Sequence, residues 1–251
     1  NDKKNRQRQS PTLGGNTMKL AIMQPYFMPY IGYFQLINAV DKFVIYDDVN
    51  FIKGGWVNRN RILVNGQPHF INIFLNDASP NKLINEISIQ PKKSMKTLKT
   101  IELNYKKAPF FNNVFPIIQT FFQKLDCKND NLAYVAGESI RAVCRYLELD
   151  REFVYSSECY SETKGLDKAD RLIAILNKNE ANIYINPTGG KTLYEKSYFK
   201  DRGIDLFFIN NQITPYQQFK NEFIPSLSII DVMMFNSVEE IKHRLVQYEL
   251  K

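Results

Sequence analysis

Residues 18–48, MKLAIMQPYFMPYIGYFQLINAVDKFVIYDD, decide the fold class. Met18–Met23 is a short apolar run of the length of a buried strand. Residues 24–29 carry Pro25 and Pro29, four apart, which break both a helix and a strand ladder, so this segment is a loop. Residues 30–40 have helical character, with Gly32 near the start, and residues 42–46 (KFVIY) are the next strand. A strand–loop–helix–strand unit opens a parallel sheet built with crossovers. Asp47 and Asp48 sit at the carboxyl end of its second strand.

Downstream, residues 61–64 and 69–75 alternate as strands around Asn65 and Gly66, the pair that favours a two-residue hairpin turn. Residues 84–89 are expected to add a third strand. Helices are expected at about 92–107, 110–125 and 131–148, each with apolar spacing near 3.6. The βα alternation then resumes, with strands at 153–155, 183–185 and 205–209 and helices at 166–179, 193–202, 228–235 and 237–249. The expected architecture is α/β and Rossmann-like: about five mostly parallel strands in one domain over 18–251. A β-hairpin and a helical insertion at about 92–150 separate its halves. Residues 1–17 are polar and end in Leu-Gly-Gly-Asn-Thr, and are expected to be a disordered N-terminal extension ahead of a native start at Met18.

The composition excludes several classes. With 44% hydrophobic and 24% charged residues over 251 positions, the whole chain is neither disordered, collagenous nor a coiled coil. Cys127, Cys144 and Cys159 show no C-x-x-C spacing and point to a reducing compartment. Only His69 and His243 are present, which removes Cys/His zinc fingers and H-E-x-x-H sites, and no metal set is expected. No window approaches the ~20 apolar residues of a membrane span and no leader is evident, so a cytoplasmic location is expected. The net charge is +7, but Lys3, Lys4, Arg6 and Arg8 stand against Asp2 alone in the first 17 residues. The modest remainder suits a small anionic ligand better than a nucleic-acid face.

In open α/β sheets ligands bind beyond the carboxyl ends of strands, and three such loops here are rich in chemistry. The first holds Gln24, Pro25, Tyr30 and Tyr33 ahead of a helix start whose free N–H groups suit phosphate or carboxylate. Its alternative reading is a proline-rich turn with core tyrosines. The second runs from Asp47 and Asp48, candidate base or metal-holding carboxylates, through Lys53, Gly54, Gly55, Trp56, Asn58, Arg59 and Asn60. Lys53 and Arg59 are suited to phosphate, Gly54 and Gly55 to close backbone approach, and Trp56, with Arg61 nearby, to stacking. Its alternative is a solvated loop with a half-buried tryptophan. The third holds Asn186, Gly190 and Lys191. Ile185 stands where a phosphate loop needs its first glycine, so that motif is rejected, leaving an anion-binding turn or a plain one. No Ser-His-Asp or Cys-His set is expected from the scattered histidines.

The first loop resembles the class I nucleotidyltransferase signature P-x-H-x-G-H, with Pro29 and Gly32 in place but Tyr30 and Tyr33 where that family has histidines. A tyrosine donates only a neutral hydrogen bond, which puts adenylyl transfer in doubt. Taken together, the loops are similar to the WbqC-like family from Met18 to about Asn236. The carriers are MQP at 23–25, PYIGYF at 29–34, YDDV at 46–49, KGGW at 53–56 and NRNRI at 58–62. They continue with NY at 104–105, SS at 156–157, Tyr184, Gly190, YQQ at 216–218 and LSIID at 227–231. Asn186 and Pro187 depart from a serine–glycine pair common in that family. The resemblance implies work in bacterial O-antigen or other surface-polysaccharide biosynthesis. It suggests a transferase working on a nucleotide-linked or lipid-linked sugar, foremost a nucleotide-linked amino sugar modified by aminoacyl or acyl transfer. Asp47, Asp48, Tyr30 and Tyr33 would then be catalytic and the other loop residues would bind substrate. The alternatives are a nucleotidyltransferase-like enzyme using ATP or aminoacyl-tRNA, which would be the one nucleic-acid partner, and a non-catalytic nucleotide-sugar binding protein. Cofactors and oligomeric state are left open.

Overall fold

Leu20, Ala21 and Ile22 of the first strand are all buried and alternate between two hydrophobic clusters, so successive side chains lie on opposite faces and both faces are covered. In the computed structural model, which describes residues 17–125 and 130–251, this strand is the centre of a six-stranded sheet. Residues 1–16 of the expected 1–17 extension, and Cys127, lie outside the described residues.

The elements run in the following order. β1 (Met18–Met23), α1 (Ile31–Asn38) and β2 (Lys42–Ile45) form the opening unit. β3 (Arg59–Val64) and β4 (Gln67–Asn72) form a hairpin, and β5 (Leu75–Asn76) and β6 (Ser88–Ile89) a short ribbon. α2 (Pro91–Tyr105), α3 (Phe111–Gln123) and α4 (Leu132–Tyr146) follow. Then come β7 (Glu152–Tyr155), α5 (Ser156–Cys159), α6 (Lys168–Lys178), β8 (Ala181–Pro187) and α7 (Lys196–Lys200). β9 (Asp205–Asn211), α8 (Ile229–Phe235), α9 (Val238–Leu245) and β10 (Tyr248–Leu250) complete the chain.

The sheet order is β10-β9-β8-β1-β2-β7, with β10 antiparallel to β9 and every other pair parallel. From β1 the chain steps outward to β2 and β7, then returns to the other side of β1 with β8 and β9. The order therefore reverses between β1 and β8, the Rossmann-like arrangement that opens a crevice at the carboxyl ends of those two strands. One face packs through Ala21, Phe43, Ile45, Ile185 and Ile209 against α1, α9 and the helices α2–α4. The other packs through Leu20, Ile22, Val44, Leu206 and Phe208 against Leu172, Ile175, Leu176 and Phe199 of α6 and α7. Burial on both faces is the condition under which a parallel sheet is stable.

The hairpin forms as expected around Asn65 and Gly66, whose φ values of 50° and 75° fit the turn type that matches strand twist. Three expectations are corrected. Residues 84–89 are not one strand: Glu86 turns back to accept the Leu83 N–H at 2.8 Å, Ile84–Glu86 is a tight helical turn, and only Ser88–Ile89 pairs, with β5. The helix expected at 193–202 shrinks to Lys196–Lys200. The last helix ends at Leu245 rather than 249. There the fully buried Gln35 amide donates to the carbonyls of Arg244 (2.8 Å) and Gln247 (3.0 Å), releasing residues 248–250 to become the antiparallel edge strand.

A buried carboxylate fastens the C-terminal segment. Asp231, on α8, accepts from the Tyr105 hydroxyl (2.6 Å), the Tyr216 hydroxyl (2.6 Å) and Gln218 Nε2 (2.7 Å). Tyr105 in turn accepts the Leu63 N–H of β3 at 2.9 Å, so α2, β3, α8 and the 216–218 loop meet at one group. Removal from water pushes the Asp231 carboxyl above its ordinary value of 3.8, against the pull of the three donors. A raised native pKa means that this group's stabilising contribution is fully present below the unfolded pKa and is lost as pH rises through the native one. Asp231→Asn removes the titration. Wild type is therefore expected to lose stability relative to Asp231→Asn as pH rises from about 4, read from urea midpoints of both proteins between pH 4 and 8. A pH-independent difference refutes it.

Candidate functional site

A cavity of about 410 Å³ opens at the β1/β8 crossover. Met23, Tyr26, Pro29, Tyr30, Gly32 and Tyr33 line it from the first loop and α1. Trp56, Asn60 and Arg61 come from the second loop and β3, Pro187 and Gly189 from the third, with Leu36, Asn211 and Ser226 completing the wall. The three loops singled out in the sequence thus converge on one cleft, in the volume range of small-molecule sites.

The first loop is held by its neighbours. Met28 is buried and sits at φ 41°, in the left-handed region that side chains other than glycine seldom adopt. Its N–H donates to Ser139 Oγ at 3.0 Å, and its carbonyl accepts from Asn60 Nδ2 (2.8 Å) and Ser228 Oγ (2.7 Å). Asn60 also donates to the Phe27 carbonyl at 3.1 Å. Asn60 lines the cleft, but its amide is spent on the loop backbone.

The tyrosines divide. The Tyr33 hydroxyl is buried and donates to the Gln24 carbonyl at 2.8 Å, and burial pushes its pKa well up. Tyr30 donates to Asn211 Oδ1 at 3.1 Å, and its pKa is also raised by burial. The Tyr30 ring lies so close to Gly32 that a Cβ there would fall 2.3 Å from Cε2, which accounts for the glycine inside the helix. Gln24 is half-buried and Pro25 buried beside them.

The second loop splits three ways. Arg59 donates from Nε to the Gly55 carbonyl at 3.1 Å and from Nη2 to the Gly54 carbonyl, while its guanidinium lies 4.4 Å from the Phe70 ring centre. It braces a turn in which Gly54 has φ 77°. Asn58 donates to the Ile73 carbonyl at 3.1 Å and so joins the loop to the hairpin's end. Lys53 is exposed and does not line the cleft, and Gly54 and Gly55 form its outer turn. Trp56 and Arg61 face the cavity, with the Arg61 guanidinium 5.6 Å from the indole centre. Among the described residues Arg61 has no ion pair, and its buried Nε has no acceptor.

Asp47 and Asp48 are brought together with residues the sequence did not pair with them. The Ser157 N–H (2.9 Å) and hydroxyl (2.6 Å) donate to Asp47, and the Ser156 hydroxyl donates to Asp48 at 2.5 Å. Arg171 of α6 donates to the other Asp48 oxygen at 2.6 Å, with Lys164 3.8 Å away. Both carboxylates are buried, and neither lines the cleft. In the third loop, residues 188–192 form a tight helical turn. Asn186 is buried, with its amide where a Gly190 Cβ would stand, and Lys191 lies 5.9 Å from the Phe208 ring, packed on the other face of the sheet. Pro187 and Gly189, rather than Asn186, Gly190 or Lys191, reach the cavity.

Residues absent from the expected ligand set therefore matter: Tyr26, Asn211, Ser226 and above all Arg61. The signal for Arg61 was its place beside Trp56 on an alternating strand. In a larger groove of about 640 Å³ between α3 and α4, Glu138 pairs with Arg145 at 3.7 Å. Among the described residues no helix is long and apolar enough to cross a membrane.

Comparison with known proteins assigns the sequence to a family. No solved structure matches the chain. An uncharacterized protein of Mycobacterium tuberculosis (strain ATCC 25618 / H37Rv), Rv1507c, is 28% identical over 221 residues, spanning 87% of this chain and 93% of the relative. The model of the WbqC-like protein family matches residues 24–243, from the first loop to α9 and across all three walls of the cleft, and the chain belongs to that family.

Proposed function

We propose that the chain is a transferase that modifies a nucleotide-linked amino sugar, by aminoacyl or acyl transfer, for bacterial O-antigen or related surface polysaccharide. The observation that carries this reading is the cleft at the β1/β8 crossover, where Arg61, without an ion pair among the described residues, stands beside the exposed Trp56. A half-buried guanidinium that makes no ion pair among the described residues is free to meet an anion at the cavity, and a phosphate supplies it with paired, charge-assisted bonds. The polysaccharide setting rests on the family resemblance, and the amino-sugar acceptor on that association.

Asp47 and Asp48 take a supporting role on this reading. Their oxygens are filled by serine and arginine donors, which anchors the carboxyl end of β2 to α5 and α6. Tyr30 is the hydroxyl best placed to meet substrate, since it lines the cavity and its acceptor, Asn211, lies on the same wall. The nucleotidyltransferase-like alternative draws on the strand order and on the loop-to-helix entry of α1, and it predicts preference for ATP.

Thermal-shift titrations with UDP-sugars, dTDP-sugars and ATP separate the two, because a ligand that binds only the native state raises Tm with concentration. A nucleotide sugar is expected to stabilise the protein, and Arg61→Ala to weaken that binding about 10- to 100-fold through loss of charge-assisted bonds. Stabilisation by ATP alone would favour the alternative. Asp48→Ala is expected to cost about 3–5 kcal/mol of folding stability, because it strands the buried Arg171 guanidinium. A variant of wild-type stability that lacks turnover would instead make Asp48 a catalytic base.

A further inference from the structure

The hairpin face outside the cleft carries side chains that the fold leaves unused. Phe70, on β4, is 42% exposed and Trp56 38% exposed, although neither adds to either core. Their ring centres are 6.2 Å apart with a 32° tilt. Arg59 covers Phe70 and Arg61 covers Trp56, so two aromatic rings and two guanidinium groups form one continuous layer. It begins inside the cavity at Arg61 and Trp56 and ends on the open hairpin surface at Phe70.

The layer is also stiff. Arg59 is fixed to the Gly54 and Gly55 carbonyls, and the Trp56 carbonyl accepts the Phe27 N–H at 3.2 Å. Rigid, exposed rings flanked by cations match a planar, electron-rich group attached to an anion. An apolar protein partner would gain nothing from the two guanidinium groups.

We infer that the Trp56–Phe70 layer is the base-recognition platform of the site, stacking the nucleobase of a nucleoside diphosphate whose phosphates enter the cleft toward Arg61. This rests on the nucleotide-sugar reading and extends it, since it places the base on the hairpin, outside the α/β core, and the sugar end of the ligand in the cavity. The platform reads a π-face and so tolerates different bases.

Trp56 is the sole tryptophan, so its emission reports the contact directly. UDP and ADP, titrated into the full chain, are expected to quench that emission with the dissociation constant found by calorimetry. Phe70→Ala, at an exposed position that removes no core packing, is expected to weaken UDP binding about 5- to 100-fold. Phe70→Tyr should restore it, whereas a merely structural role for the ring would give no such rescue. If calorimetry shows UDP binding that Arg61→Ala weakens but Phe70→Ala leaves unchanged, the platform is wrong and the cleft reading stands. If neither nucleotide binds the wild-type protein, both are wrong.

Discussion

The left-handed turn at Met28 is the constraint on which the site depends. A buried methionine at φ 41° costs on the order of 1–3 kcal/mol relative to an ordinary backbone conformation. It persists because three separate elements claim its backbone: Ser139 from α4, Asn60 from β3, and Ser228 at the start of α8. Three buried hydrogen bonds at about 1 kcal/mol each are of the size needed to offset that strain. Because these partners lie 32 to 200 residues away in sequence, the turn forms only when the sheet, the hairpin and the last helices are in place. The first wall of the cleft is thus a product of the whole fold.

That dependence explains how the loop polar groups are used. Asn58, Asn60, Arg59, Asn186 and Gln24 read as ligand contacts along the sequence, yet all but the last two visibly donate to backbone carbonyls, and Gln24 offers its own carbonyl to Tyr33. An irregular loop packed over a sheet needs its peptide groups satisfied, and side-chain amides do this where no strand is available. The result is a cleft whose shape is set before a ligand arrives, which reduces the ordering cost of binding. Arg61 differs from this group in having no backbone carbonyl to hold, and it is the residue whose chemistry remains directed into the cavity.

The parallel sheet was legible because its strands are apolar on both faces and separated by helical spacing, as in residues 18–23 and 42–45. The edge strand at 248–250 was not. Three residues carry no period, and the choice there is made by Gln35, more than two hundred positions away, taking the carbonyls at the end of α9. The convergence of the three loops was legible from the general rule about carboxyl ends of strands. Which side chains face the cleft was not, since a carboxylate and its partner, as with Asp48 and Arg171, are joined by tertiary folding across 123 residues. Phe70 was not legible for a related reason: residues 67–70 of β4 are all exposed, and only the folded hairpin shows that Phe70 stands beside Trp56.

The exchange of histidine for tyrosine at 30 and 33 narrows the chemistry further. Tyr30 keeps its proton, since burial raises its pKa, and gives that proton to Asn211, so it presents the cleft with a neutral hydroxyl oxygen on a ring accommodated by Gly32. Tyr33 is removed from the cleft's chemistry by its bond to Gln24. An imidazole can gain and lose charge as a phosphate is transferred, whereas a phenol at this pKa cannot, and the guanidinium of Arg61 stays charged throughout. A permanent cation stabilises a phosphate equally before and during reaction, which strengthens binding without favouring the transition state. On the proposed reading this suits a diphosphate that is gripped as a handle while bonds change elsewhere on the ligand. Rate enhancement must then come from other groups of the wall, Tyr30 and Asn211 among them.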